Sequence, residues 1–131
     1  MGSNLILLRQ LFLFGIVGTI GLIVDAGILY LSKSFLGLYW GRGLSFVCAV
    51  FATWILNRNI TFKANHKLSL FKEFAFYLWC MLFGGVANLI TYYLLIHYFG
   101  LVAENPIIGV AIGSVVGMAI NFLSSKFLVF K

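Results

Sequence analysis

The sequence predicts an all-α integral membrane protein with four transmembrane helices. Of the 131 residues, 63% are hydrophobic and only 9% are charged, against roughly 45–50% and 25% in a typical soluble domain. Four long apolar runs follow one another along the chain, and a bilayer core requires about 20 such residues in helical form. Nine Lys and Arg and three Asp and Glu residues cannot cover the surface of a soluble protein of this size. A soluble enzyme, a nucleic-acid-binding domain and a disordered chain are therefore disfavoured.

The predicted spans cover about residues 11–31, 41–56, 74–96 and 107–123. These runs are long and do not alternate between apolar and polar residues, which favours helices over a β-barrel. The first run is too long for a cleavable signal peptide, and three more runs follow it. Pro106, the single proline, stands at the start of the fourth run, where a helix can begin without losing a backbone hydrogen bond.

The distribution of basic residues predicts that both termini and the central loop, Arg58–Glu73, are cytoplasmic. Cytoplasmic loops of membrane proteins carry an excess of Lys and Arg. Seven basic residues fall on the side of the termini: Arg9, Arg58, Lys63, Lys67, Lys72, Lys126 and Lys131. Only Lys33 and Arg42 fall on the other side. The net charge of +6 therefore indicates topology and contact with anionic headgroups rather than nucleic-acid binding.

A weak internal similarity predicts two parallel-repeat hairpins. Residues 25–30 align with residues 88–93 at an offset of 63, and residues 53–63 align with residues 121–131 at an offset of 68. Each half holds two spans, so both halves face the same way. The pseudo-axis that relates them is then expected to run along the membrane normal.

Two polar residues within the spans are candidate substrate-binding residues. An isolated carboxylate in a span costs about 2.5–3.5 kcal/mol on insertion scales, so Asp25 must face a partner or water, or be protonated. It could line a polar path or be a structural carboxyl bonded to a neighbouring helix. Asn88 is its repeat partner and could hold helices together or contact a substrate. An Asp25–Asn88 hydrogen bond would do both.

Polar and basic residues close the second and fourth spans and predict a ring at the inner headgroup level. Its members are Asn57, Arg58, Asn121 and Lys126. Cationic donors suit a phosphate and amides suit its neighbouring oxygens, although basic residues here could also be plain positive-inside anchors. Arg9 is a further candidate on the same side. Arg42, at the outer interface, could receive a phosphate or merely snorkel.

The sequence shows no catalytic constellation, metal site or cofactor motif. His66 and His97 fall on opposite sides of the predicted membrane, and Cys48 and Cys80 lie within apolar runs at no recognised spacing. Glycines recur along the fourth span at Gly109, Gly113 and Gly117. Small residues allow helices to approach closely, either within one chain or between subunits. We therefore expect a non-enzyme that forms a homo-oligomer.

Three motifs resemble the GtrA-like family of small four-span bacterial membrane proteins. They are residues 14–18 (FGIVG), residues 57–62 (NRNITF), and Asn121-Phe followed by residues 126–130 (KFLVF). The resemblance covers nearly the whole chain. It departs at Ser125, where the family often has Asn, as at Asn57.

The resemblance implies translocation of a polyprenyl-phosphate-linked sugar across the bacterial cytoplasmic membrane, for glycosylation of a cell-surface polysaccharide or teichoic acid. The implied partners are that lipid, membrane lipids and glycosyltransferases of the same pathway. Two alternatives stay open. One is a proton-coupled exporter similar to the small multidrug resistance family, although seven basic residues against two disfavour dual topology. The other is a non-transporting scaffold for a membrane glycosyltransferase.

Overall fold

A computed structural model describes residues 2–63 and 67–131, and the regular structure within those ranges is helical. The α-helices are α1 (Gly2–Leu56), α2 (Leu70–Tyr98), α3 (Gly100–Glu104) and α4 (Pro106–Ser124). Five-residue π-helical turns, Asn57–Thr61 and Ser125–Val129, extend α1 and α4. Three helical segments are long and apolar enough to cross a membrane: Gly2–Thr61, Leu70–Tyr98 and Pro106–Val129.

The first two predicted spans lie within α1, which is broken at Gly37. The φ and ψ angles of Gly37 are 80° and 176°, in a region that only glycine adopts readily. A methyl group added at Gly21 would meet the Thr53 side chain, although 32 residues of straight helix would separate these positions by about 48 Å. The first limb of α1 (residues 2–36) and its second limb (residues 38–56) therefore pack side by side as a hairpin.

The helices extend beyond the predicted spans. The first helix begins at Gly2, whereas the predicted span begins near residue 11, and α2 begins at Leu70, whereas the predicted span begins near residue 74. The predicted central loop Arg58–Glu73 is shorter, because Arg58 belongs to a π-helical turn and Glu73 to α2. Helix propensity continues into these polar ends, which hydropathy alone does not detect. The start of α4 at Pro106 confirms the prediction for the proline.

The two π-helical turns occupy equivalent positions in the predicted repeat. Asn57–Thr61 and Ser125–Val129 are related by the offset of 68 that aligns the two sequence segments. Residues 54–61 and residues 122–129 also share the same burial at every position. A π-helical turn is rare, so its occurrence at matching positions supports the repeat.

A glycine contact also recurs in both halves. Gly21 packs against Thr53, and Gly84 packs so closely against Asn121 that a methyl group there would overlap the amide. Gly84 follows Gly21 by 63 residues and Asn121 follows Thr53 by 68, which are the two offsets of the predicted repeat. In each half, therefore, a polar side chain of the second helix packs against a glycine of the first helix.

A second pair of equivalent contacts lies nearer the hairpin connections. A methyl group added at Gly41 would lie 3.5 Å from Leu29 Cδ1, and one added at Gly109 would lie 3.0 Å from Tyr92 Cδ2. The same two offsets relate these residues. The structure thus repeats the packing of a helical hairpin, not merely its hydropathy.

The chain forms two compact units. The first runs to Phe74 and includes Phe130, and the second comprises Ala75–Val129 with Lys131. Aromatic rings build much of the core of the first unit, where Phe62 packs edge-on to Phe14 and stacks on Phe130 at a centroid distance of 5.3 Å. In the second unit α2 and α4 approach closely through glycines. A methyl group on Gly117 would lie 2.8 Å from the Gly84 carbonyl oxygen.

Candidate functional site

An open apolar groove lies where the second limb of α1 passes into the first π-helical turn and meets the start of α2. It encloses about 520 Å³ and is lined by Phe51, Trp54, Ile55, Arg58, Asn59, Leu70, Phe71 and Phe74. All of these residues belong to the first unit. Six of the eight are aliphatic or aromatic, so the groove suits a hydrocarbon chain, with polar groups only at Arg58 and Asn59.

The carboxylate of Glu73 is buried beside this groove and fixes Arg58. Its side chain is only 2% exposed. Glu73 Oε1 accepts hydrogen bonds from Trp54 Nε1 at 2.9 Å and from Arg58 Nε at 2.7 Å. The carboxylate therefore holds the guanidinium through Nε, its inner nitrogen. The buried charges of Arg58 and Glu73 balance each other, as buried ionised groups require.

The local backbone explains why Arg58 is available to the groove. Residue 57 is 1% exposed, and its side-chain Oδ1 accepts a hydrogen bond from Thr61 Oγ1 at 2.8 Å. Asn59 donates from Nδ2 to the Ile55 carbonyl at 2.9 Å. The π-helical turn widens the helix by about one residue per turn. Asn57 thus points inward to close the turn, while Arg58 lines the groove.

Asp25 and Arg42 form an ion pair between the two limbs of α1. Arg42 Nη1 lies 2.6 Å from both carboxylate oxygens of Asp25. The Asp25 side chain is 14% exposed and that of Arg42 is 58% exposed. A partner on the neighbouring helix satisfies the charge of Asp25, which favours the structural interpretation of this carboxylate over a polar path. Arg42 is predicted from the sequence to lie at the outer interface, but its pairing with Asp25 is not predicted.

In the second unit, polar side chains pack against glycines. The Asn88 side chain lies against Gly113, and the Asn121 amide lies against Gly84. Asn121 Oδ1 and Ser125 Oγ are buried and have no hydrogen-bond partner among the described residues. The Asn121 amide packs closely against Gly84, so its position fits helix packing.

The predicted basic ring falls in two different units. Asn57 and Arg58 belong to the first unit, and Asn121 and Lys126 belong to the second. The Lys126 ammonium lies 5.7 Å from the Phe127 ring centroid, and Arg9 is exposed. The ring stays a prediction, as does the Asp25–Asn88 hydrogen bond, since these residues also divide between the units.

Sequence reasoning missed Glu73 as a partner of Arg58 and Trp54. Glu73 stands among lysines directly before an apolar run, and that isolated acid was the available signal. In the part of the chain that the structure describes, no group of His, Cys, Asp and Glu side chains could hold a metal ion. The site therefore consists of a hydrocarbon-lined groove and a guanidinium oriented by a buried carboxylate.

Comparison with known proteins identifies a family. No curated protein and no solved structure matches the chain. The sequence pattern of a family described as GtrA/DPMS, transmembrane domain, matches residues 13–130. The match supports the handling of polyprenyl-phosphate-linked sugars that the motifs implied, and it agrees with a membrane protein of several long apolar helices. The chain therefore belongs to the GtrA/DPMS transmembrane-domain family.

Proposed function

We propose that this protein moves a polyprenyl-phosphate-linked sugar across the bacterial cytoplasmic membrane, to supply glycosyltransferases that act outside. The groove beside Arg58 is the observation that carries the proposal. An isoprenoid chain would pack on Phe51, Trp54 and Phe74, and its phosphate would bind the Arg58 guanidinium. Planar guanidinium groups bind phosphate oxygens through charge-assisted hydrogen bonds.

The proposal includes four membrane crossings, with each limb of α1 as a separate span. The second limb has 19 residues (38–56), and at 1.5 Å per residue it extends about 28 Å, close to the thickness of a bilayer core. The first limb is longer. Their antiparallel packing brings residue 2 and the central loop to the same side of the membrane, which the basic residues indicate is the cytoplasm.

The driving force would be a concentration gradient of the lipid. The sequence contains no phosphate-binding loop of the kind that ATP-driven transporters use. The hydrocarbon tail would stay in the bilayer while the headgroup crosses between helices. A homo-oligomer would enlarge the polar passage, because four helices enclose little space.

Transport by purified protein in liposomes tests the proposal. A fluorescent polyprenyl-phosphate sugar would be added to one leaflet, and its appearance in the other followed by chemical quenching. We expect wild-type protein to accelerate crossing and Arg58→Gln to slow it by about tenfold, the effect of losing one charge-assisted hydrogen bond. Rates are compared per folded protein, because Arg58→Gln also leaves the buried Glu73 carboxylate without its counter-charge. Lys72→Gln is the matched control, because Lys72 is exposed and lies outside the groove lining.

The scaffold hypothesis gives a different outcome in the same experiment. If purified wild-type protein does not accelerate crossing, while cells carrying Arg58→Gln still attach the sugar to their surface polymer, translocation is contradicted. Recruitment of a glycosyltransferase would then be the better account.

A further inference from the structure

We propose that Glu73 makes the Arg58 groove selective for phosphodiesters over phosphomonoesters. The inference rests on the proposed function, since it assumes that Arg58 binds the phosphate of an isoprenoid lipid. A lipid-linked sugar joined through one phosphate is a diester with a single negative charge. The lipid that remains after sugar transfer is a monoester, which carries a charge of about −1.5 to −2 at neutral pH.

The charge balance at the groove carries the argument. Arg58 and Glu73 together have no net charge, and their side chains are 14% and 2% exposed. A bound dianion would gain more attraction from Arg58 than a monoanion, but the buried Glu73 carboxylate on the Nε side of the guanidinium would offset part of that gain. The larger desolvation cost of the dianion then decides the preference, because that cost rises steeply with charge in an apolar site.

The contacts of Glu73 indicate that its charge is fixed in place. One carboxylate oxygen accepts both the Trp54 and the Arg58 hydrogen bonds, and both donor side chains also line the groove. The acid therefore cannot turn away when a phosphate arrives without losing two buried hydrogen bonds. This region also has exposed lysines, namely Lys63, Lys67 and Lys72. They attract all anions from a distance, and salt screens that attraction.

The functional consequence is release of the monoester lipid that remains after sugar transfer. A groove that binds the diester more tightly than the monoester takes up the sugar-loaded lipid and is not blocked by the lipid from which the sugar has been removed. Glu73 is thus a specificity-determining residue that acts beside the phosphate-binding arginine.

Calorimetric titration of the purified full chain in phosphatidylcholine nanodiscs at 0.15 M salt tests this inference. The probes are citronellyl phosphate, a short-chain monoester, and its glucosyl diester. We expect the wild-type protein to bind the diester more tightly. In Glu73→Gln, the affinity ratio should shift toward the monoester by about tenfold, as expected for removing one charge close to the ligand at an effective dielectric constant of about 20. Lys72→Gln is the control and should leave the ratio unchanged.

The outcomes separate this inference from the proposed function. If both probes bind and the wild-type protein prefers the monoester, the inference is overturned even where Glu73→Gln does not fold. An unchanged ratio in a folded Glu73→Gln also overturns it. If neither probe binds the wild-type protein, both the proposed lipid binding at the groove and the inference about Glu73 are wrong. If phosphatidylglycerol displaces the glucosyl diester at equal concentration, charge selectivity stands, but the groove binds ordinary anionic lipid and the proposed function loses its support.

Discussion

Arg42 Nη1 lies 2.6 Å from both carboxylate oxygens of Asp25, and the pair joins the two limbs of α1. The repeat offsets place Asn88 and Val110 at the equivalent positions of the second half. The second half therefore lacks both charges of the pair. This agrees with the cost of leaving a mostly buried carboxylate without its counter-charge.

Single and double substitutions at this pair should have unequal effects on stability. Arg42→Val leaves the mostly buried Asp25 carboxylate without a counter-charge and should lower the free energy of unfolding by about 3 kcal/mol. Asp25→Asn leaves an arginine that is already 58% exposed and can reach the headgroups, so a loss of about 1 kcal/mol is expected. Denaturation in mixed micelles would measure both changes.

The double variant Asp25→Asn/Arg42→Val is the informative control, because it reproduces the pair of residues in the second half. We expect it to be more stable than Arg42→Val alone. A double variant that is less stable than either single variant would contradict a structural ion pair. Loss of transport in a stable double variant would instead indicate that Asp25 lines a polar path.

The sequence predicted the repeat more accurately than it predicted the polar contacts. Hydropathy located the helices, and the similarity at offset 68 aligns the two segments in which the π-helical turns lie, although it does not predict the turns themselves. The Arg58–Glu73 and Asp25–Arg42 pairs were not predicted, because each depends on how a hairpin packs. The sequence pattern predicts that Arg58 faces the headgroups and that Glu73 belongs to a loop, so it gives no reason to pair them. The break at Gly37 lies between the first two predicted spans, but hydropathy does not indicate which residue of that connection reverses the chain.

Gly37 should be the most sensitive glycine in α1. Its φ of 80° and ψ of 176° lie where a β-carbon is strained, so Gly37→Ala should cost about 1–3 kcal/mol of stability. The control is Gly43→Ala. Gly43 has helical geometry and open space around it, and alanine favours helix there. Equal stability of the two variants, measured by denaturation in mixed micelles, would show that the hairpin does not require the Gly37 conformation.

Gly117 and Gly85 offer a second matched pair, within α4 and α2. A methyl group on Gly117 would lie 2.8 Å from the Gly84 carbonyl oxygen, whereas one on Gly85 would meet nothing within 4 Å. Backbone atoms cannot move aside as a flexible side chain can, so Gly117→Ala should destabilise the protein by about 1–3 kcal/mol. Gly85→Ala should be neutral or slightly stabilising. Thermal unfolding of the two variants in detergent provides the comparison, and a destabilised Gly85→Ala would instead point to a contact with another subunit.

The number of membrane crossings can be read from single-cysteine labelling in intact cells. With Cys48 and Cys80 replaced by alanine, a cysteine at Ser34, near the reversal of α1, should react with a membrane-impermeant reagent added outside. A cysteine at Lys67, in the central loop, should react only after the cells are opened. Each limb of α1 would then cross the bilayer once.

A third labelling position separates four crossings from two. Glu104 is exposed and lies at the end of α3, in the connection between α2 and α4, so a cysteine there should be labelled from outside together with that at Ser34. If the α1 hairpin does not cross, the cysteines at Ser34 and Lys67 will label from the same side, and only the one at Glu104 will differ. That result would reduce the chain to two spans and would leave the Arg58 groove beside a helical pair lying at the membrane surface, where it could bind a lipid headgroup but could not carry it across.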